Sequence, residues 1–248
     1  HFFDQAGSIQ KNKEELIRRF PSFQLLEFDI REQERVLHLF EQEEIDYVLH
    51  AAAQPSHDWA AREPLTDFSV NAIATQYLLE AVRTQQPEAV FAFLSTNKVY
   101  GDRPNDLPLI ETETRYELPD DHPLYLGIQE SFSIDQTKHS LFGVSKVAAD
   151  IMVQEYGRYF GLKTAVFRAG CITGSRHAGV PLHGFLSYLT KCILSGEKYT
   201  IIGYQGKQVR DNIHAHDMVS AIDAFFEAPG VAGVYNMGGG RFSNTSVL

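Results

Sequence analysis

Short apolar runs alternate with longer amphipathic segments along most of this chain. The run from Val90 to Leu94 is apolar at every position, which predicts a strand buried on both faces of a sheet. Between about Pro64 and Thr84, apolar residues recur at helical spacing, which predicts a helix with one buried face. Strands that alternate with helices indicate an α/β protein in which helices cover both faces of a parallel sheet.

The same alternation continues on both sides of these two segments. Further strands are predicted at residues 23–28, 46–50 and 164–168, and further helices at residues 32–43 and 140–160. After Gly174 the pattern is mixed, with helices predicted near residues 183–195 and 216–227 and short strands at residues 199–202, 211–214 and 234–237. Because crossovers between parallel strands are right-handed, we predict a doubly wound, Rossmann-like domain over residues 1–170. Residues 171–248 are predicted to form a smaller mixed α/β lobe that interleaves with the sheet.

The composition narrows the classes of partner that the chain can have. Of its 248 residues, 44% are hydrophobic and 22% are charged, which is typical of a globular protein. The net charge of −10 argues against nucleic-acid binding, which requires a basic face. No apolar run is long enough to span a bilayer, and 2 cysteines are too few for a disulfide framework. We expect a cytoplasmic protein with no nucleic-acid or membrane partner.

Polar residues follow the buried strand, and a later predicted helix carries a lysine that could reach the same end of the sheet. Thr96 stands at the carboxyl end of that strand, where open parallel sheets hold their ligands. Phe142 and Lys146 are four residues apart on the helix predicted at 140–160, so they share a face one turn apart. We expect Thr96 and the Lys146 ammonium to converge on one crevice, with Arg210 at its far end.

These residues stand in a pattern that resembles the extended short-chain dehydrogenase/reductases, the NAD-dependent epimerase/dehydratase family. The segment Phe142-Gly143-Val144-Ser145-Lys146 is similar to the family's Tyr-Gly-x-Ser-Lys, and Thr96 stands where the family has a strand-end Ser or Thr. The run from Arg210 to Asp217 is similar to the family's Arg-Asp-x-[Ile/Leu]-His-x-x-Asp. Longer stretches between about Asp29 and Asn244 resemble the CDP-paratose 2-epimerases within this family.

The resemblance implies NAD as the cofactor, a nucleotide sugar as the substrate and no metal. Thr96 would orient the reacting sugar hydroxyl, and Lys146 would hold the nicotinamide ribose. The residues implied in cofactor binding are Asp4, Asp29, Ile30, Ala51, Ala52, Ala53, Ser95 and Lys146. The residues implied in substrate binding are Gln54, Asn97, Lys98, Cys171 and Arg210, with Arg210 on the diphosphate.

Some of these residues also have simpler structural interpretations. Asp29 equally suits the N-cap of the following helix, because its short carboxylate can accept from free backbone N–H groups. Arg210 suits a surface salt bridge to Asp211 or Asp217. His50 and His57 are interpreted as structural.

Phe142 departs from the family pattern because it has no hydroxyl. In the family, a tyrosine at this position exchanges a proton with the sugar, which phenylalanine cannot do. Three interpretations stay open. Another group substitutes, with Tyr125, Ser140 and Thr96 as candidates; water transfers the proton slowly; or the protein binds without catalysis. The intact pattern around Phe142 favours an enzyme.

The family's glycine turn, Gly-x-x-Gly-x-x-Gly, does not occur upstream of Asp29. In the family that turn places backbone amides on the pyrophosphate of the dinucleotide. If Asp4 ends the family's second strand, the first strand and the turn precede His1, and we expect an N-terminally incomplete domain. Residues 244–248 resemble a helix barely begun, so the second lobe is also expected to be incomplete.

The resemblance favours an epimerase or a reductase over a dehydratase. The related sugar dehydratases carry Asp-Glu where this chain has Asn97-Lys98, so the acid and the base that eliminate water are missing. The expected reaction is C2 epimerisation of a CDP-deoxyhexose, CDP-paratose to CDP-tyvelose, through a transient ketone. The alternatives are a nucleotide-sugar reductase or dehydrogenase, and a catalytically degenerate protein that binds NAD or a nucleotide sugar. By the same resemblance we expect a homo-dimer or tetramer.

Overall fold

The computed structural model describes residues 10–177, 179–180 and 184–248, and its centre is a parallel sheet. In chain order the strands are β1 (Tyr47–His50), β2 (Val90–Thr96), β3 (Ile110–Glu111), β4 (Tyr116–Glu117), β5 (Thr164–Ala169), β6 (Cys171–Thr173), β7 (Asn212–His214) and β8 (Gly233–Met237). The central sheet has the order β1-β2-β5-β8. The short strands form two separate pairs, β3 antiparallel to β4 and β6 parallel to β7.

The helices that surround this sheet match the amphipathic segments of the sequence. They are α1 (Gln10–Arg19), α2 (Gln33–Gln42), α3 (His57–Arg62), α4 (Pro64–Phe68), α5 (Ala74–Gln85), α6 (Leu141–Phe160), α7 (Phe185–Ser195) and α8 (Ala215–Glu227). A single π-helical turn, Ser69–Ile73, joins α4 to α5 without a break. None of the described helices is both long and apolar enough to cross a membrane.

Apolar positions on the central strands alternate between two cores, one on each face of the sheet. Phe91 and Phe93 of β2 pack with residues of α2, α5 and α6. Val90 and Ala92, the intervening positions, pack with residues of α8 on the opposite face. Because both faces are covered, β5 is buried at every position and β2 is buried from Val90 to Phe93, as parallel strands in α/β proteins are. The polar side chains of β2, Ser95 and Thr96, lie at its carboxyl end.

The predicted α/β class, with helices on both faces of a parallel sheet, is confirmed. The helices predicted at residues 32–43, 64–84, 140–160, 183–195 and 216–227 are observed, the second of them as the continuous run from α4 to α5. The strands predicted at residues 46–50, 90–94, 164–168, 211–214 and 234–237 are observed as β1, β2, β5, β7 and β8. Local hydrophobic pattern was therefore sufficient for these elements.

The strands predicted at residues 23–28 and 199–202 are wrong, because both segments are irregular in the structure. Their apolar side chains are largely exposed, Leu26 at 55% and Ile202 at 69%. A strand persists only where a neighbouring strand takes up its backbone N–H and C=O groups. Within the described part of the chain, no strand pairs with either segment. An apolar composition favours a strand but does not supply its partner.

The central sheet takes strands from both sides of the predicted boundary at residue 170. β5 precedes the boundary and β8 follows it, and the two pair from Ala165–Gly233 to Ala169–Met237. α8 also follows the boundary and packs on the same sheet through Met218, Ile222 and Phe225. The second lobe is thus interleaved with the first, and the division into two domains at residue 170 stays a prediction.

Candidate active site

Thr96 ends β2 at the carboxyl edge of the sheet. It is half-buried, and its hydroxyl accepts a hydrogen bond from the Lys98 backbone N–H at 3.3 Å. This contact makes Thr96 the N-cap of a short 3-10 helix, Asn97–Tyr100. A hydroxyl that accepts one bond keeps its own hydrogen for another partner, so Thr96 can donate to a ligand above the sheet edge.

Lys146 reaches the same strand from α6. Its side chain is buried, with Nζ donating to the Leu94 carbonyl oxygen at 2.7 Å and lying 4.0 Å from the centroid of the Phe93 ring. Burial lowers the pKa of Lys146 to about 7, against the opposing effect of the negative charges of Asp150 and Asp67. The ammonium thus lies two residues before the end of β2.

Phe142 lies one helical turn before Lys146, and its ring meets a histidine. The centroids of the Phe142 and His57 rings are 5.0 Å apart, with the ring planes at 64°. Phe142 is buried, whereas His57, the first residue of α3, remains exposed. Partial burial lowers the pKa of His57, and the positive charges of Lys98 and Arg210 lower it further. The imidazole is therefore neutral near pH 7 and can accept a proton.

Three residues predicted to bind substrate form one electrostatic group. Burial lowers the pKa of Lys98, and the positive charge of Arg210 lowers it further. Burial raises the pKa of the Cys171 thiol, although the charges of Arg210 and Lys98 oppose the shift. The structure therefore brings Lys98, Cys171 and Arg210 together and adds His57 to them. Asn97, beside Lys98 in the 3-10 helix, is half-buried.

The surface salt bridge considered for Arg210 is not observed. Asp211 instead accepts from the Gly239 backbone N–H at 3.0 Å, and Asp217 lies 3.6 Å from His216. In residues 10–177, 179–180 and 184–248, no carboxylate comes within salt-bridge distance of Arg210. The guanidinium is therefore free of an internal counter-ion and available to an anion from outside.

Gln54, predicted to bind substrate, belongs instead to an internal network, because its side chain is completely buried. Its Nε2 donates to Asp67 Oδ1 at 2.6 Å, and its Oε1 accepts from the Ser56 backbone N–H at 2.6 Å. Asn71 accepts from the Gln54 backbone N–H at 2.8 Å and donates to Ser145 Oγ at 3.0 Å. The network fastens the loop after β1 to the turn of α6 that carries the phenylalanine and the lysine. Gln54 is thus a positioning residue here.

Ser95, predicted to bind the cofactor, is also engaged internally. Its hydroxyl donates to Asp150 at 2.5 Å, and Asp150 forms a buried ion pair with Arg168 at 2.9 Å. Arg168 also donates to the Tyr100 hydroxyl at 3.0 Å. These contacts tie β2, β5 and α6 together directly behind the crevice. The strand end that carries Thr96 is therefore held in place by a buried charge network.

The Asp29 carboxylate is bound by its own neighbour. It accepts from Arg31 Nη2 at 2.6 Å and from the Arg31 backbone N–H at 2.9 Å, and these hydrogen bonds lower its pKa. The N-cap of α2 is Glu32, so the alternative role of Asp29 as that N-cap is wrong. Ile30 is half-buried beside it. Their contact with a cofactor stays a prediction.

The small residues after β1 leave the edge of the sheet open. Ala51 and Ala52 are exposed and Ala53 is half-buried. Short side chains at this place let a ligand approach the backbone closely. Asp4, also predicted to bind the cofactor, lies outside the described residues.

Two of the three candidate substitutes for the missing tyrosine are engaged elsewhere. Ser140 is the N-cap of α6, where its Oγ accepts from the Gly143 backbone N–H at 3.0 Å. The Tyr125 ring lies under Arg241, with the guanidinium carbon 3.6 Å from the ring centroid. Thr96, the third candidate, is at the strand end described above.

A cavity of about 420 Å³ lies next to Cys171. Cys171, Thr173 and His177 line a narrow pocket beside it. The lining residues of the larger cavity are Thr173, Gly174, Ser175, His177, Leu186, Ser187, Thr190 and His214. Its volume is within the range of small-molecule sites.

The crevice fits the nicotinamide-ribose end of NAD. The Lys146 ammonium is a donor for ribose hydroxyls, and the open turn at residues 51–53 admits a flat ring. Thr96 follows Leu94, which binds the ammonium, by two residues and precedes Lys98 by two residues. The donor set therefore suits a dinucleotide on one side and an anionic sugar nucleotide on the other.

Residues 4–238 match the Epimerase family, described as the NAD dependent epimerase/dehydratase family. The chain belongs to this family, as the sequence motifs indicated, and the cofactor of the family is NAD. The Rossmann-like fold and the expectation of NAD are thereby confirmed.

Individual relatives agree with this assignment. A CDP-paratose 2-epimerase from Salmonella typhi is 35% identical over 234 residues, which are 92% of this chain and 67% of that enzyme. The structure of Pal from Bacillus thuringiensis has a TM-score of 0.78 at 24% identity and covers 98% of this chain and 69% of Pal. UDP-glucose 4-epimerase from Thermotoga maritima, solved with UDP-glucose, has a TM-score of 0.69 at 25% identity, covering 98% of this chain and 76% of that one. The chain thus spans between 67% and 76% of the length of these proteins.

Proposed function

We propose that this protein is a NAD-dependent epimerase of nucleotide sugars that inverts C2 of a CDP-deoxyhexose, converting CDP-paratose to CDP-tyvelose. One arrangement carries the proposal: the Thr96 hydroxyl and the Lys146 ammonium lie at the end of β2, Lys98 follows Thr96 by two residues, and Arg210 lies near Lys98. The identity of 35% to a CDP-paratose 2-epimerase supports the choice of base and sugar carbon.

The two cations support an anionic substrate. Burial lowers the pKa of Lys98 and the positive charge of Arg210 lowers it further, so two neighbouring cations are unfavourable until an anion joins them. A diphosphate satisfies both cations at once, because Arg210 can bind two of its oxygens and Lys98 a third. The cavity beside Cys171 then receives the base, and the sugar extends towards Thr96.

The remaining residues of the crevice orient the sugar. NAD, when bound, supplies the chemistry of accepting a hydride from the sugar carbon and giving it back to either face. Thr96 donates to the sugar oxygen, and Lys146 holds the ribose of the cofactor. The buried Phe142 ring covers the reacting carbon from the side of α6 and excludes water.

A second candidate function is binding without catalysis. One observation favours it, the absence of a hydroxyl on Phe142 at the place where the family carries its acid-base group. Against it stands the exposed imidazole of His57, which contacts the Phe142 ring. A protein that had lost turnover has no need of a proton acceptor there, so the enzyme is the better supported candidate.

The test is to incubate the complete protein, with bound NAD verified after denaturation, with CDP-paratose and to follow C2 by NMR. We expect inversion at C2 without net oxidation, because the hydride removed is returned. Release of reduced NAD into solution would instead identify a reductase or dehydrogenase. Tight binding of CDP-paratose with no change at C2 would identify the binding protein.

The assembly of the protein into a homo-dimer or tetramer is part of the proposal. An apolar stripe of α6, made of Leu141, Val144 and Ile151, is exposed at 48%, 44% and 40%. Leu65 of the neighbouring α4 is exposed at 87%. Burying such a surface against a second copy is favourable. Sedimentation of the wild type and of Ile151→Lys tests it, and a monomeric wild type would contradict it.

A further inference from the structure

We propose that His57 is the acid-base group of this active site, standing in for the tyrosine hydroxyl that Phe142 lacks. The inference rests on the proposed function, since it names the group that moves the proton in that reaction. Its first support is geometric. The His57 ring lies against the Phe142 ring, with centroids 5.0 Å apart, at the turn of α6 that precedes Lys146.

The contact is fixed from both sides. His57 begins α3, whose N-cap Ser56 accepts from the Trp59 backbone N–H at 3.2 Å. Ser56 in turn donates its backbone N–H to the buried Gln54, which belongs to the network that holds α6. The helix that carries His57 and the helix that carries Phe142 are therefore positioned by the same set of buried hydrogen bonds. The backbone that carries His57 is therefore held at a defined place relative to Phe142.

The charges around His57 suit a group that accepts a proton and then gives it back. Lys98 on the 3-10 helix and Arg210 before β7 disfavour the imidazolium, whereas Asp58 on α3 and Asp67 on α4 favour it. Partial burial also disfavours it, and the pKa of His57 lies below 6.5 as a result. A neutral imidazole is the base at neutral pH, and the two carboxylates keep its protonated form accessible.

The proton balance is complete with the groups named. In the oxidising half-reaction, the sugar C–H bond gives its hydride to the cofactor and the O–H bond gives its proton to an imidazole nitrogen of His57. A C=O bond forms at the sugar carbon. In the return half-reaction, the hydride adds to the opposite face of that carbon, and His57 gives the same proton back to the oxygen.

Other groups near the crevice are less suited to this task. Burial raises the pKa of the Cys171 thiol, so it is not a base at neutral pH. Ser140 and Tyr125 are held by a helix cap and by Arg241. Among the described residues, the Thr96 hydroxyl forms no hydrogen bond with a basic side chain. His57 combines exposure to the crevice, a neutral form and contact with Phe142.

The test compares His57→Asn, the double variant His57→Asn/Phe142→Tyr and the control His38→Asn in the complete protein with bound NAD. His38 is an exposed residue of α2, with 70% of its side chain accessible. With CDP-paratose we expect His57→Asn to lower kcat by roughly 100- to 10,000-fold with little change in KM. The added tyrosine should restore a large part of kcat, and His38→Asn should match the wild type. A structural role for His57 would not be rescued by a tyrosine hydroxyl.

The experiment distinguishes a failure of the His57 inference from a failure of the proposed function. If wild type inverts C2 and His57→Asn does so equally fast, His57 is not the acid-base group, while the proposed function stands. If CDP-paratose is not inverted, the absorbance of reduced nicotinamide is followed with UDP-, dTDP- and GDP-sugars. The His57 comparison is then made with the sugar that reduces the cofactor. Reduction only in the single variant Phe142→Tyr, or in no form of the protein, would overturn the inference.

A second readout needs no substrate. In the protein without added sugar, NMR titration of the His57 ring proton should give a pKa below 6.5, and Lys98→Met should raise it by removing a neighbouring positive charge. A pKa at or above 6.5 that Lys98→Met leaves unchanged would show that His57 does not face the cations, and would overturn the inference.

Discussion

Lys146 donates from Nζ to the backbone carbonyl of Leu94 at 2.7 Å, so an ammonium from α6 is attached to β2 just before the strand ends. The donor has two further hydrogens, and the strand end is where parallel sheets hold ligands. A buried ammonium that satisfies only one backbone oxygen costs stability, and its pKa falls to about 7.

We predict that Lys146→Met weakens NAD binding by roughly 10- to 150-fold, because a charge-assisted hydrogen bond contributes about 1.5–3 kcal/mol. Methionine fills most of the same volume, so the fold should persist. The measurement is the NAD content of the purified variant together with its circular dichroism spectrum. Unchanged NAD content in a folded variant would show that the ammonium does not hold the cofactor.

We predict that Arg210→Lys raises KM for CDP-paratose by at least about tenfold while kcat changes little. Lysine keeps the charge but cannot bind two diphosphate oxygens in the planar geometry of a guanidinium. Arg241→Lys is the matched control, because Arg241 already pairs with Glu117 at 3.0 Å. An equal rise of KM in both variants would show that the effect does not come from the guanidinium geometry of Arg210 in particular.

We predict that Arg168→Met destabilises the protein by about 3–5 kcal/mol, because it leaves the buried Asp150 charge unpaired. Lys163→Met is the control, since its partner Glu88 is 90% exposed, and such pairs contribute about 0–1 kcal/mol. Urea unfolding of both variants measures the difference. Similar losses would mean that Asp150 becomes protonated or hydrated at little cost.

We predict that stability falls steeply between about pH 6.5 and pH 3 in part because of His50. Burial lowers its pKa to about 3 in the folded protein, with a further contribution from the Lys146 charge, whereas the unfolded chain has a value near 6.5. The unfolded state therefore binds more protons in this range, so stability rises with pH there and is lost as pH falls.

The variant His50→Leu should lose less stability as the pH falls from 6.5 to 3, since leucine cannot be protonated. His216→Gln changes a side chain that is 79% exposed, and it should lose stability at low pH as the wild type does. Acid unfolding followed by circular dichroism compares the three proteins. If His50→Leu lost stability at low pH as steeply as the wild type, the acid sensitivity would be assigned to the carboxylates instead.

The sequence was informative where function depends on spacing along one element. Phe142 and Lys146 share a face because they are four residues apart, and Thr96 follows a run too apolar to lie anywhere but in the sheet. The contact between His57 and Phe142 joins two elements that are far apart in the chain, and no local pattern predicts which side chains meet. Ser95 and Gln54 have suitable chemistry for ligands, but their partners are buried groups of other elements.

The same limit explains the two strands that are not observed. Residues 23–28 and 199–202 have the composition of strands, but pairing is a non-local property. Conversely, β8 was predicted from pattern alone, yet its place beside β5 follows only from the fold. Local composition therefore predicts what a segment prefers, and topology decides what it becomes.

Asn71 lies within the π-helical turn Ser69–Ile73. The direction in which its side chain points therefore depends on the number of residues in this turn. Such a turn amounts to one residue more than an α-helix would place there. Deleting a single residue would restore regular α-helix and swing the following side chains by about 100° around the axis. The Asn71 amide would then point away from Gln54 and Ser145, even though the deletion removed no residue of the network. Redesign of this enzyme must therefore conserve the length of the segment as strictly as its chemistry.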